Sequence, residues 1–284
     1  MFAHNLNHNP PKKITIKKFQ DEKSYMGAFI FSTALRSLFP ENTPVERTPR
    51  ISNCENIEQS RPHSLLGQRL MEMFDLLSAH FGPQNWWPAE TELEVMIGAI
   101  LTQNTNWTNV EKAISNLKNK GLVSLDRLVS LSIEELAKEI RPAGYYNIKA
   151  KRLKNLINFI LDQYDGDLAG LLKEETDRLR EGLLSVNGVG PETADSIILY
   201  VANRPLFVID AYTHRILSRH AMAGEEATYY ELQGLFMDHL PEDSALFNEF
   251  HALIVQTGKN YCRKKPLCEA CPLKQWGSES SMHD

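Results

Sequence analysis

From residue 64 onward the apolar residues return every three or four positions, and glycine or proline closes most of the segments that show this spacing. That period belongs to the α-helix; a strand needs alternation at every second residue. Leu65, Leu66, Leu70, Met73, Phe74 and Leu77 make one apolar stripe, which ends at Gly82-Pro83. Leu93, Val95, Met96, Ile97, Ala99, Ile100 and Leu101 leave almost no polar side, the mark of a helix buried all round. Further helices are expected near 106–119, 132–140, 147–164, 174–185, 191–203, 210–220, 228–239 and 243–257. No stretch alternates like a strand between turn signals, and no solenoid repeat is present. The expected class is all-α, two helical lobes with a cleft between them.

Residues 1–62 read differently. Asn, Pro, Lys and Glu are scattered without a period, and Pro40, Pro44 and Pro49 break any long element. Only Met26 to Phe39 has helical character, so this segment is expected to be a poorly ordered extension, with Met26 a candidate natural start. Apolar residues make up 42% of the chain, enough to build a core, and no apolar run reaches the length of a membrane span. With no secretory signal pattern, a cytoplasmic monomer is expected.

The formal charge of −5 argues against a uniformly basic nucleic-acid binder, but charge is local. Arg141, Lys149, Lys151, Arg152 and Lys154 lie in a stretch without an acid, and Lys259, Arg263, Lys264 and Lys265 make a second basic knot. Each is either a solvated face or a phosphate-binding patch.

The stretch Leu183 to Ile197 carries the most functional information. An apolar helix end runs into Gly188-Val189-Gly190, and Pro191 then stands where a first helical position tolerates it. The glycines permit positive φ and close backbone approach, and amides at the following helix start suit a phosphate oxygen. Val189 is expected to plug the gap between the two helices. Alone, the string is equally an ordinary helix–helix turn. Downstream, Asn203-Arg204-Pro205-Leu206-Phe207-Val208-Ile209 leads to Asp210, which opens a helix and suits an N-cap.

Together these strings resemble the helix-hairpin-helix and the Gly/Pro loop with aspartate of the endonuclease III-like (HhH-GPD) DNA glycosylases, over roughly residues 64–275. The resemblance implies a glycosylase domain over 63–258, a cysteine loop over 259–277 and a tail over 278–284. It implies double-stranded DNA as partner, with Gly188, Val189, Gly190, Thr193, Tyr145 and Lys149 on the DNA side. Asp210 matches the catalytic carboxylate, which stabilises an oxocarbenium-like sugar and can activate water. Members that also nick the strand use a lysine where this chain has Glu192, so a monofunctional enzyme is expected. The Trp86-Trp87-Pro88 and Leu101-Thr102-Gln103-Asn104-Thr105 strings look like those of 3-methyladenine DNA glycosylase III and its relatives. By that similarity Trp86 and Trp107 sandwich a flipped alkylated purine such as 3-methyladenine, a cation suited to aromatic faces. Gln103 then fills the gap left by the flipped nucleotide, and Tyr145 is the wedge on the opposite strand.

Cys262, Cys268 and Cys271 resemble the [4Fe–4S] loop of the family, whose fourth position is Gly277 here. A cluster with another fourth ligand, a zinc ion using His283, and a loop without metal all stay open. Two other functions also stay open: a glycosylase/lyase for oxidised pyrimidines, and a non-catalytic DNA-binding hairpin module.

Overall fold

The structure is a computed structural model, and residues 64–276 are described. The expectations for residues 1–62, Gly277 and His283 fall outside them. Among the described residues there are twelve α-helices, two short 3-10 turns and no strand. The helices are α1 (Leu65–Phe81), α2 (Glu92–Leu101), α3 (Trp107–Asn119), α4 (Leu125–Ser130), α5 (Ile133–Glu139) and α6 (Tyr146–Tyr164). They continue as α7 (Leu168–Lys173), α8 (Thr176–Ser185), α9 (Pro191–Tyr200), α10 (Ala211–Arg219), α11 (Tyr229–Met237) and α12 (Ser244–Asn260).

The sequence places the helix starts through their caps. Ser64, Thr91, Asn106, Ser124, Ser132, Asp210, Thr228 and Asp243 each accept a backbone N–H with a side-chain oxygen. Ser132 with Glu135 and Thr228 with Glu231 complete reciprocal capping boxes. Two helices, α4 and α7, are absent from the sequence-based expectation. Each has six residues, under two turns, and so is too short to display a period.

Two hydrophobic cores account for the expected lobes. The first is built from α2 to α9 and centres on Met96, Ile97, Ile100, Leu117, Leu153, Ile157 and Ile197. The second joins α1 to α10, α11 and α12 around Leu70, Met73, Phe207, Phe236, Phe247 and Phe250. Helices α2 and α9 serve both. Helix α2 gives Leu93 and Met96 to the first core and Val95 to the second; α9 gives Ala194 and Ile197 to the first and Leu199 and Tyr200 to the second. That double duty is why neither helix has a polar face to spare.

Behind this wall lies a buried polar knot. Asp195 is fully buried on α9; it accepts from Arg180 of α8 through both oxygens, at 2.7 and 3.0 Å. Tyr229 and Gln233 of α11 each donate to it at 2.8 Å. Gln233 also donates to the Phe207 carbonyl at 2.7 Å, and the Ile209 amide donates to the Tyr229 hydroxyl at 3.4 Å. The strand-like run that ends at Asp210 is thus hung from Asp195.

Candidate active site

The hairpin joins α8 to α9 through Val186–Gly190, and its two glycines differ. Gly188 has φ +97°, a conformation that favours glycine, and a Cβ there would come within 2.3 Å of Arg152 Cγ. Gly190 is extended at φ −103° with nothing near its Cβ direction, and it caps α9. Val189 is 7% exposed in the first core, and its amide is taken by the Val186 carbonyl at 3.0 Å. It therefore shapes the turn from inside. Thr193 is also turned inward, 5% exposed, as the acceptor of a 3.0 Å bond from Gln103.

Gln103 lies just past the end of α2 and is saturated by protein. Its amide nitrogen donates to the Gly188 carbonyl at 3.1 Å and to Thr193, and its oxygen accepts from Arg152 at 2.5 Å. The expected wedge, Tyr145, is 68% exposed with φ +46°, at the start of α6.

Within the basic stretch Arg141 and Lys151 are exposed, but Lys149, Arg152 and Lys154 are engaged by the protein. Lys149, expected against DNA, is 1% exposed; its ammonium donates to the Leu101 carbonyl at 2.7 Å and the Ala143 carbonyl at 2.8 Å. It ties the wedge loop to the end of α2, because exposed helix-end carbonyls need donors. Burial first, then the Arg152 charge, lowers its pKa to about 8. Lys154 likewise caps α4, donating to the Leu128 and Val129 carbonyls.

Asp210 caps α10. Its Oδ1 accepts from the Thr213 amide at 2.7 Å and the Thr213 hydroxyl at 2.8 Å. Its Oδ2 faces Nε2 of His251 at 3.9 Å. Two charged groups share its neighbourhood. Desolvation, then the Asp210 charge, pushes the Glu192 carboxyl up to about 7, although Glu192 itself is exposed at the start of α9. Burial also holds Lys259 below the usual lysine range, against the opposing pull of Asp210 and Glu111.

The aromatic residues form one cluster. Trp86 and Trp107 have centroids 5.3 Å apart at 54°, and Trp87 meets Trp107 edge-on at 5.0 Å and Tyr200 at 5.3 Å. The Lys259 ammonium lies 5.5 Å over the Trp86 ring, and Trp107 donates to Glu111 at 2.7 Å. A flat base between Trp86 and Trp107 needs parallel rings about 7 Å apart, two van der Waals separations. The rings here are closed on each other.

Sequence reasoning missed His251 and misplaced Lys259, which it grouped with the loop lysines. The signal was available: His251, Val255 and Lys259 follow at intervals of four on one face of a helix otherwise buried.

The cysteine loop follows α12. Cys262 is buried, Cys271 half-buried and Cys268 exposed. Burial pushes the Cys271 thiol up, against a backbone hydrogen bond at Leu273 and with smaller help from Cys262 and Cys268. Arg219 of α10 donates to Cys262 Sγ at 3.2 Å and to the Arg263 carbonyl at 2.7 Å, and Arg215 donates to the Cys262 carbonyl at 2.6 Å. Among the described residues no three His, Cys, Asp or Glu side chains gather as metal ligands. Three thiols without a fourth ligand do not complete a four-coordinate site.

The model of the HhH-GPD superfamily base excision DNA repair protein matches residues 97–242, the span from α2 through the hairpin and Asp210 to the end of α11. The chain belongs to the HhH-GPD superfamily. A Methanocaldococcus jannaschii protein described as a DNA repair glycosylase is 48% identical over 211 residues, covering 74% of this chain and 96% of its own. Endonuclease III of Sulfolobus acidocaldarius is 27% identical over 183 residues, covering 64% of this chain and 79% of its own. Among solved structures, H. pylori 3-methyladenine DNA glycosylase bound to 1,N6-ethenoadenine matches with TM-score 0.57 and 31% identity, over 66% of this chain and 94% of that one. A trapped endonuclease III–DNA covalent intermediate shares the fold with TM-score 0.64 at 21% identity, over 75% of this chain and 96% of that one. As an HhH-GPD protein the chain is a DNA base-excision repair glycosylase. No helix among the described residues of this HhH-GPD protein is long and apolar enough to cross a membrane.

Proposed function

We propose that this glycosylase is monofunctional, that water is its nucleophile, and that its substrate is a flipped alkylated purine such as 3-methyladenine. The observation that carries the reading is the setting of Asp210. One carboxylate oxygen is tied to the cap, the other faces His251, and Lys259, which shares the neighbourhood of Asp210, lies over the ring of Trp86.

An aromatic face that attracts an ammonium also attracts the delocalised charge of a cationic base. Such a base enters by displacing Lys259 from Trp86 and parting Trp86 from Trp107. As the bond to the base breaks, positive charge develops on the sugar, and a fixed carboxylate in a partly desolvated setting stabilises it. Amides at the start of α9 suit a backbone phosphate, Tyr145 is the exposed candidate for the wedge, and Gln103 must leave the hairpin to fill the vacated stack. The cysteine loop has no part in this chemistry. The family resemblance gives it an iron–sulfur cluster, with zinc the rival, and either needs a fourth ligand beyond the three cysteines.

The lysine of strand-nicking enzymes has no counterpart at Glu192. Lys149 is buried on two carbonyls, so Lys259 is the amine that shares the neighbourhood of Asp210. A panel of duplexes carrying methylated, oxidised and deaminated bases tests both parts of the reading. Methylated purines are expected to be released, Asp210→Asn is expected to slow release at least about 100-fold with little change in DNA affinity, and borohydride is expected to trap no adduct. Release of oxidised pyrimidines with an adduct that Lys259→Met abolishes would overturn it in favour of a lyase.

A further inference from the structure

The two oxygens of Asp210 are not equivalent. Oδ1 is committed to Thr213, which leaves Oδ2 for chemistry. Oδ2 faces His251, a residue of α12 that is 6% exposed. The Nδ1 of that ring is paired with the Tyr200 hydroxyl at 2.5 Å. Its Nε2 is fully buried and has no hydrogen-bond partner among the described residues. Folded proteins seldom leave a buried polar atom in that state unless a water or ligand completes it. The gap of 3.9 Å from Nε2 to Oδ2 exceeds a direct hydrogen bond of about 2.7–3.2 Å. A single water bonded to both atoms spans that gap at a bent angle once a side-chain shift uncovers Nε2.

We infer that His251 is a positioning residue for hydrolysis: Tyr200 fixes its ring, and its Nε2–H and Asp210 Oδ2 together seat the attacking water. The inference rests on the reading of water as the nucleophile. The groups that face the ring are Tyr200 from α9, Asp210 from the start of α10 and Lys259 from its own helix. Burial, followed by the opposing effects of Asp210 and Lys259, keeps the imidazole below its ordinary pKa, so it carries one proton. A Tyr200 hydroxyl that donates to Nδ1 leaves that proton on Nε2, the only arrangement that does not set a lone pair against the carboxylate. The water then accepts from Nε2–H, hydrogen-bonds to Oδ2 through one of its protons, and turns a lone pair toward the sugar. As the bond from C1′ to the base nitrogen breaks, its electron pair leaves with the base. The water oxygen bonds to C1′, and its proton passes to Oδ2. His251 neither gains nor loses a proton in this step.

The experiment measures single-turnover base release and lesion-duplex affinity for His251→Phe, His251→Gln and Tyr200→Phe, each in wild-type and Asp210→Asn backgrounds. Phenylalanine keeps the ring volume and removes both nitrogens; glutamine returns an N–H near the position of Nε2. His251→Phe is expected to slow release about 3- to 10-fold, the value of one hydrogen bond between neutral groups, with affinity unchanged within about twofold. Glutamine is expected to recover most of that loss, and Tyr200→Phe to lose about three- to tenfold. In the Asp210→Asn background the His251→Phe change is expected to add almost nothing, because both residues act on one water. Wild-type release by both His251→Phe and Tyr200→Phe overturns the inference. So does an equal, multiplicative loss in both backgrounds, which marks a structural role. If Asp210→Asn alone releases base at the wild-type rate, the reading of Asp210 fails, and the inference fails with it. Should His251→Phe not fold, His251→Gln and Tyr200→Phe carry the same test.

Discussion

Among single residues, Glu192 stands where the family resemblance expects a lysine in strand-nicking members, and its carboxyl is the group on which a pH dependence is predicted. That carboxyl is pushed up to about 7, by desolvation first and by Asp210 second. The folded protein thus holds this proton more tightly than an unfolded chain does. The stability it contributes is complete below the ordinary carboxylate range and is lost as the pH rises through about 7. Ionisation also sets a second negative charge beside Asp210, at the helix start where a DNA phosphate is expected. Affinity for a lesion duplex at constant salt should therefore fall between about pH 6 and about pH 8, and Glu192→Gln should flatten that dependence. Fluorescence anisotropy across this range checks it; an unaltered slope in the glutamine variant would assign the titration to another group.

At the scale of elements, the hairpin and the wedge loop depend on backbone contacts that composition does not reveal. Gly188→Ala brings a Cβ against Arg152 in a conformation that favours glycine. It should cost about 1–3 kcal/mol in thermal or urea unfolding and loosen the hold of Arg152 on Gln103. Gly190→Ala meets open space at an ordinary φ and should stay within about 1 kcal/mol of the parent. The pattern Gly188-Val189-Gly190 was legible from the sequence, but it treats the two glycines alike. Only the packing of α6 against the hairpin tells them apart. Lys149 makes the same point. The family resemblance set it on the DNA side, whereas the fold spends it, Arg152 and Lys154 on helix ends and on Gln103. Lys149→Met should lose about 1–3 kcal/mol of stability by stranding the Leu101 carbonyl, while the Ala143 carbonyl keeps its bond from Thr105. The salt dependence of DNA binding should keep its slope, which a phosphate-contacting lysine would reduce by about one. A urea melt alongside a salt titration measures both effects.

At the scale of the whole molecule, two cores meet along α2 and α9, and Asp195 fastens the seam. It joins α8, α9 and α11 and suspends the run that ends at Asp210. Asp195→Ala leaves the Arg180 guanidinium, only 20% exposed, without its carboxylate, and should destabilise by about 3–5 kcal/mol. A two-state urea titration measures this. Base release by the remaining folded fraction should also slow, since the Tyr229 and Gln233 bonds that hold Phe207 and Ile209 lose their common anchor. The sequence by itself determined the all-helical class, most of the helices, the hairpin and the place of Asp210, because each is written in local periodicity, capping residues and short strings. Tertiary structure alone decided that Lys149 is buried, that Lys259 covers Trp86 and that His251 and Tyr200 back Asp210. Those pairings join residues far apart in the chain, and their energies come from burial and from partners that exist only once both cores have closed.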